Sequence, residues 1–330
     1  MAHKRELYDF AILGGCITSV TLSFLLQRAG YKVALIEQQS IGIETTGRYY
    51  TILSEKPQKI EINNFRPPPG QPGKTPHDYL EQGLNFILST ARNYHIYCDL
   101  RKLSDSDISL NGALLEGPVY LFNPFKYIVS LAKVAADNGV ALLENRRVLK
   151  IESDNKTHMV FTTRGKVWAN NIVYTPRSSR ILTLRPGSYI PYKSYSLMAK
   201  LAGHHEETVF KIPGRQLLAH VVATDENCSI IELQGADSKV VKGKNDDAQF
   251  QILQDFLNEN FNVDCLLARW SSVYYLSSDG TLLVGPTETP GTYIVSGYNY
   301  SDPSIGIMCA LYFADQLPVT VRTAKTLNTM

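Results

Sequence analysis

Leu7-Tyr8-Asp9-Phe10-Ala11-Ile12-Leu13-Gly14-Gly15-Cys16-Ile17-Thr18-Ser19 opens the stretch that decides the fold, and Val33-Ala34-Leu35-Ile36-Glu37 closes it. Leu7 to Leu13 reads as a buried strand, and Gly14-Gly15 breaks it. Ile17 to Arg28 reads as a helix whose apolar positions are Ile17, Val20, Leu22, Leu25 and Leu26. Gly30 ends that helix, where a residue free to adopt positive φ is favoured. Lys32 to Ile36 is a second short buried strand, and Glu37 stands at its tip. Strand, glycine turn, helix, strand and terminal acid in this order make a parallel βαβ unit.

Such a unit binds an adenine dinucleotide when its turn lets a pyrophosphate approach bare backbone at a helix N-terminus. Against the pattern G-x-G-x-x-G, Gly14 keeps the first glycine, while Cys16 and Ser19 replace the other two. Ser19 is small enough for close helix–strand packing, whereas Cys16 places a thiomethyl group at the approach point. Glu37 can accept hydrogen bonds from an adenosine ribose. Gly14, Gly15, Cys16, Ile17, Thr18, Ser19, Glu37 and Gln38 are therefore the expected dinucleotide contacts.

Further along, six prolines between Pro57 and Pro76 exclude regular helix there. Pro76 to Arg92 then reads as a helix, as does Pro124 to about Asn138 behind an Asn123 cap. Strands are expected over 140–143, 148–152, 159–163 and 172–175. From Tyr189 to about Leu233, strands alternate with turns. Asn245 should cap a helix running to about Asn260. Trp270–Tyr275, Thr281–Val284 and Thr292–Val295 read as strands, and Ser304 begins a final helix.

The chain has 330 residues, of which 44% are hydrophobic and 19% charged, enough for a sizeable core and too apolar for global disorder. Its net charge of +2 gives no global attraction to nucleic acid or to an anionic membrane. Tyr is abundant, 19 against 12 Phe, which suits half-buried strands or a polar-lined pocket. Five widely spaced cysteines with no CxxC fit neither a disulfide framework nor a zinc site, so a reducing, cytoplasmic setting is expected. Thr18, Ser19, Thr21 and Ser23 interrupt the apolar N-terminal stretch, which therefore reads as the first helix rather than a signal peptide.

These segments, in order, resemble the D-amino-acid oxidase / glycine oxidase / sarcosine oxidase superfamily. Tyr8–Gly15, the helix end Gln27-Arg28-Ala29-Gly30 and Val33–Glu37 resemble its FAD-binding start. Thr45-Thr46-Gly47-Arg48 resembles its Ser-Gly-Arg segment around the flavin. Leu114–Gly117 through Phe122-Asn123-Pro124-Phe125 resembles the entry to its central helix. Trp270, Ser278-Asp279-Gly280 and Val284-Gly285-Pro286 resemble its W…DG-x-P-x-x-G run. Tyr293–Gly297 and Ser304-Ile305-Gly306 resemble its last strand and helix.

The resemblance implies an α/β fold, in which a Rossmann-like FAD-binding domain with a parallel sheet carries an inserted, β-rich substrate domain. The FAD-binding parts would be 1–48, 120–180 and 285–330, and the substrate parts 49–119 and 181–284. It adds Thr45, Thr46, Gly47, Arg48, Val148, Thr175, Gly297, Ser301, Asp302, Ser304 and Ile305 to the residues that would hold FAD. Tyr50, Tyr274 and Tyr298 are the candidate substrate contacts, assigned to the catalytic site. The implied activity is hydride transfer from the carbon of a C–N bond of an amine or amino-acid-like substrate to flavin. Tyr274 stands where amino-acid oxidases of this type commonly carry an Arg, and Tyr cannot clamp a carboxylate with a charged fork. Pro176 stands in place of a glycine and removes a backbone donor. These departures also suit a second reading, an FAD-fold subunit with little activity that works beside a partner.

The expected partner is the small-molecule substrate, with no nucleic acid and no membrane, and a homo-oligomer or partner subunit is compatible with the chain. No metal site is expected: His204-His205-Glu206-Glu207 reads as a solvated loop because adjacent ligands rarely converge on one ion.

Overall fold

The computed structural model describes residues 6–43, 51–54, 62, 65–67, 70–103, 108–110, 119–154, 156–176, 178, 189–212, 217–224, 227–241, 243, 245–298 and 303–317. The chain begins with β1 (Leu7–Leu13), α1 (Ile17–Arg28), β2 (Val33–Ile36) and β3 (Thr51–Ser54). Next come α2 (Pro76–Asn93), β4 (Arg101–Leu103), β5 (Ile108–Leu110), β6 (Val119–Phe122) and α3 (Pro124–Asp137). Then follow β7 (Ala141–Leu143), β8 (Val148–Ser153), β9 (His158–Thr162) and β10 (Gly165–Tyr174). The second half holds β11 (Tyr189–Ala202), β12 (Val209–Ile212), β13 (Leu217–Thr224), β14 (Cys228–Lys239) and α4 (Asp247–Asn260). It ends with β15 (Val263–Ser277), β16 (Leu283–Pro286), β17 (Thr292–Ser296) and α5 (Pro303–Asp315).

An 8-stranded sheet carries the order β16-β17-β10-β1-β2-β7, with β8 and β9 branching from β10. β17, β10, β1, β2 and β7 run parallel. From β1 the chain builds outward through β2 to β7 and then returns to the other side of β1 with β10. The order therefore reverses between β1 and β10, and in open α/β sheets the crevice at that point takes the ligand.

The two faces of this sheet are covered differently. Phe10, Ile12, Val33 and Leu35 point into the main core with α1, α2, α3 and α5. Ala11, Leu13, Ala34 and Ile36 point into a smaller core with Val160 and Val167 of the β9–β10 hairpin. Burying a side chain such as Phe24 or Leu22 stabilises the fold by about 1.5–3 kcal/mol, and both are at most 1% exposed. Although α2 falls within segment 49–119, its buried Tyr79, Leu84 and Ile87 join the main core beside Ile307 and Tyr312 of α5.

The helix starts follow local chemistry. Thr75 and Asp78 form a reciprocal capping box ahead of Pro76. Asn123 Oδ1 accepts from Lys126 N at 3.1 Å ahead of Pro124. The cap of α4 falls on Asp246, one residue beyond the expected Asn245, whose side chain accepts from Asp247 N at 3.1 Å.

A 6-stranded sheet, ordered β15-β11-β14-β13-β12-β5, forms the β-rich part. Tyr195, Leu197, Ala199, Ile231 and Leu233 pack its inner face against Leu253 and Leu257 of α4. The remaining strands form a small sheet, β3-β6-β4, whose Leu103, Val119 and Leu121 pack on Val209 and Leu218 of the six-stranded sheet, which is antiparallel except for its β12–β5 edge pair. Leu276 of β15 bridges to Gly297, which joins the antiparallel sheet to the end of β17. Among the described residues, no helix is long and apolar enough to cross a membrane.

Candidate functional site

Gly14, Glu37, Thr175 and Gly297 each follow the last residue of a parallel strand: Leu13, Ile36, Tyr174 and Ser296. The topology thus gathers four of the residues singled out from sequence at the carboxyl edge of one sheet. Gly14 turns there with φ +104°, a left-handed conformation. A Cβ on Gly14 would stand 2.7 Å from Thr175 Oγ1, and that hydroxyl is fixed because it donates to Leu13 O at 2.5 Å. Both the dihedral and the contact require glycine. Thr175 is fully buried, so it supports the turn from beneath.

Glu37 is 7% exposed and is held by two backbone donors. Gly15 N donates to Oε2 at 2.5 Å, and Gln39 N donates to Oε1 at 2.8 Å. The residues after β2 close around the turn, since Gly42 N donates to Gly15 O at 2.9 Å and Arg146 N to Glu37 O at 2.8 Å. A carboxylate offers roughly four lone-pair sites, so each Glu37 oxygen can accept once more. Gln38, beside it, is exposed. Val148 opens β8 just after Arg146 and packs with the small core that includes Ile36 and Leu13.

The start of α1 carries no side-chain cap and no acid in its first turn. Val20 N donates to Cys16 O, but the backbone N–H groups of Cys16, Ile17, Thr18 and Ser19 have no acceptor among the described residues. Orphan donors of this kind, together with the positive end of a helix dipole, favour a negatively charged group. Cys16 does not obstruct its approach. The thiol is 5% exposed and faces inward, where it contacts Thr175 Oγ1 at 3.9 Å and accepts from Ser19 Oγ at 3.4 Å. Ser19 also donates to Cys16 O at 2.9 Å, so the residue in place of the third glycine is both buried and satisfied.

The start of α5 rests on this same point. A Cβ on Gly306 would lie 2.8 Å from both Ile17 Cγ2 and Thr18 Oγ1. Glycine lets the two helix N-termini converge, with Ser304 and Ile305 in the first turn of α5. The hydroxyls of Thr18 and Tyr298 hydrogen-bond across the junction. Tyr298, 2% exposed, is thus seated between the two helices. Tyr274 donates to Asp237 Oδ2 at 2.6 Å and stacks on Tyr192 with centroids 5.7 Å apart. Tyr274 and Tyr298 belong to one buried cluster with Ile17 and Ile307. Thr45, Thr46, Gly47, Arg48, Tyr50, Ser301 and Asp302 lie outside the described residues.

A second polar group, not singled out in the sequence, lies on the antiparallel sheet. Glu232 on β14 sits directly opposite His220 on β13. They are 6% and 4% exposed. His220 Nε2 approaches Glu207 Oε1 at 3.5 Å, and Glu207 pairs with Arg101 at 3.3 Å. Burial pushes the Glu232 carboxyl up to about 8 and holds the His220 imidazole below its usual range. A charged residue inside the apolar run Ile230-Ile231-Glu232-Leu233 was the available signal.

Comparison with known proteins agrees with this architecture. The family model described as "DAO: FAD dependent oxidoreductase" matches residues 90–316. No curated protein sequence matches the chain. Among solved structures, glycine oxidase from Geobacillus kaustophilus is 17% identical, with a TM-score of 0.69 over 97% of this chain and 96% of that one. L-proline dehydrogenase from P. horikoshii is 14% identical, with a TM-score of 0.61 over 94% of this chain and 93% of that one. Iminodiacetate oxidase from Chelativorans sp. BNC1 is 13% identical, with a TM-score of 0.61 over 94% and 97%.

Proposed function

The chain belongs to the FAD-dependent oxidoreductase family, and from that premise we propose that it binds FAD and oxidises a C–N bond of an amine or amino-acid-like substrate. The observation that carries this reading is the uncapped start of α1 beside the oriented Glu37 carboxylate. These two groups match the two parts of an adenine dinucleotide. The N–H groups of Cys16 to Ser19 suit its pyrophosphate, and the spare lone pairs of Glu37 suit the hydroxyls of its ribose. The inward Cys16 thiol leaves the approach to the backbone open.

Bound FAD supplies the hydride acceptor. The chain's own residues bind, orient and exclude water. Gly306 and the Thr18–Tyr298 hydroxyl pair hold the start of α5 against the start of α1, so two positive helix ends face one region and favour negative charge there. Tyr274 of β15 packs with Tyr298 and Ile17 in one buried cluster, so the six-stranded sheet meets this region through an apolar wall. Hydride loss from the carbon of a neutral amine needs no protein base, so the reading requires no acid–base pair at this wall. Glycine, proline and iminodiacetate, the substrates named for the three similar structures, all present a C–N bond of this kind.

The reading is tested by titrating the purified, deflavinated protein with FAD, FMN and NAD and following intrinsic fluorescence. Tight saturable binding of FAD alone is the expected result. Binding of none of the three would overturn it and favour a fold retained without its coenzyme.

A further inference from the structure

The face of the six-stranded sheet turned away from α4 packs against the rest of the protein at its ends, and its middle is polar. Directly opposed residues of antiparallel strands point to the same side, so the registers define its rows. Tyr274 stands opposite Tyr192, Ser272 opposite Ser194, Trp270 opposite Ser196 and Ala268 opposite Met198. Across β14 and β13, the Ser196 row continues to Gln234 and Leu218, and the Met198 row to Glu232 and His220. The Tyr274–Tyr192 end of this face packs into the cluster that holds Ile17, Tyr298 and Ile307. The face therefore looks toward the junction of α1 and α5, and its Leu218 side lies under the small sheet.

Three polar atoms on this face, on three adjacent strands, are buried without a hydrogen-bond partner: Trp270 Nε1, Ser196 Oγ and Glu232 Oε1. Ser196 is wholly buried and Glu232 is 6% exposed. A carboxyl oxygen left unpartnered inside a protein is destabilising, more so when the group is ionised. Burying it is offset only if something else supplies its partner. No cation of the chain does so among the described residues. Met198, Gln234 and Trp270, next to it, are only half-buried, so the face is not sealed from solvent.

We propose that Glu232, with the Ser196 hydroxyl beside it, recognises a second protonated nitrogen on the substrate, so that the chain acts on amines carrying a remote cationic group. This rests on the proposed C–N oxidation. The chemistry of the carboxyl sets the class: it accepts hydrogen bonds from an ammonium or guanidinium, and Ser196 Oγ can accept one more. Met198 and the Trp270 indole provide apolar and cation–π surface for the stem and head of such a chain. The geometry sets the reach. Glu232 lies three rows, or six residues, from the Tyr274–Tyr192 pair, roughly 20 Å along the strands, which suits an extended substrate. Tyr274, with its hydroxyl on Asp237, offers no charged fork for a substrate carboxylate.

The test is anaerobic calorimetry on the purified protein, with α,ω-diamino oligo(ethylene glycol)s whose extended length runs up to the Tyr274–Glu232 span, against monoamino, methoxy-capped chains of matching length. The wild-type protein should bind the best diamine at least about tenfold more tightly than its monoamine, about 1.4 kcal/mol. Glu232→Gln should abolish that preference while monoamine affinity stays unchanged. Glu232→Asp, which keeps the carboxyl on a shorter stem, should retain part of it and serves if the Gln variant does not fold. Equal affinity of wild type for diamines and monoamines, or a preference that survives Glu232→Gln, would overturn the proposal and leave the polar atoms to buried water. The visible spectrum of the same sample separates the two claims. A sample without flavin contradicts the oxidation reading alone, and a flavin-loaded sample without diamine preference contradicts the cation site alone.

Discussion

Glu37 reaches back across 22 residues to accept a hydrogen bond from Gly15 N at 2.5 Å, so the acid at the tip of β2 and the turn after β1 are one unit. Glu37→Ala therefore does two things. It should lower FAD affinity by about 1–3 kcal/mol, the range for losing a buried polar partner, and destabilise the apoprotein by a similar amount through the orphaned Gly15 N–H. Fluorescence titration and urea unfolding separate the two effects. Wild-type affinity in a folded variant contradicts the ribose assignment.

Gly14→Ala should destabilise the fold by more than about 1 kcal/mol, because the residue sits at positive φ and its Cβ would meet Thr175 Oγ1. Adding Thr175→Ala removes the steric part and leaves the dihedral part. Partial recovery in the double variant is the expected denaturation result. If there is none, Thr175 is not the obstacle.

Tyr298→Phe and Thr18→Val each leave one buried hydroxyl without its partner across the α1–α5 junction. Each should lower stability by about 1–2 kcal/mol, and the double variant by less than the sum. Additive effects in the double-mutant cycle would show that the pair does not couple the two helices.

How far the sequence could be read depended on whether the signal was local. The first βαβ unit was legible because strand, turn and helix each announce themselves within a few residues, and α1 spans Ile17–Arg28 as expected. β15 runs from Val263 to Ser277, well beyond the expected 270–275. Its first half lies on the sheet edge, where Asp264 to Leu267 are exposed and break the apolar signal. Glu232 was missed for a different reason. Alternation in Ile231-Glu232-Leu233-Gln234 tells which residues share a face but not which face is covered, and a lone Glu on the second face reads as solvent-exposed. Only the tertiary packing shows that this face is turned toward the rest of the protein. Tyr298 was read as a substrate contact, and its partner Thr18, 280 positions away, could not be read from any local pattern.

The buried Glu232 carboxyl also makes stability depend on pH. Its pKa rises from the ordinary 4.5 to about 8 in the folded chain, by burial. The stability tied to its protonated form is fully present below pH 4.5 and is lost as pH rises to about 8, by about 1.4 kcal/mol per unit. His220, facing it, is held below its usual range by burial, so its contribution has the opposite slope and is lost as pH falls. Glu207, Arg101 and Asp99 act on His220 in both proteins, so the difference between wild type and Glu232→Gln isolates the carboxyl. The Gln variant should be more stable at pH 8 by about 3–5 kcal/mol and nearly equal at pH 4. A difference independent of pH in thermal unfolding would contradict this.

The most direct measurement is an anaerobic titration of the flavin-loaded protein with an extended diamine, followed in the visible flavin band. The account predicts stoichiometric bleaching, restored when an electron acceptor is admitted. A protein that takes up no FAD even in excess, or whose bound flavin stays oxidised with every amine tried, would contradict it.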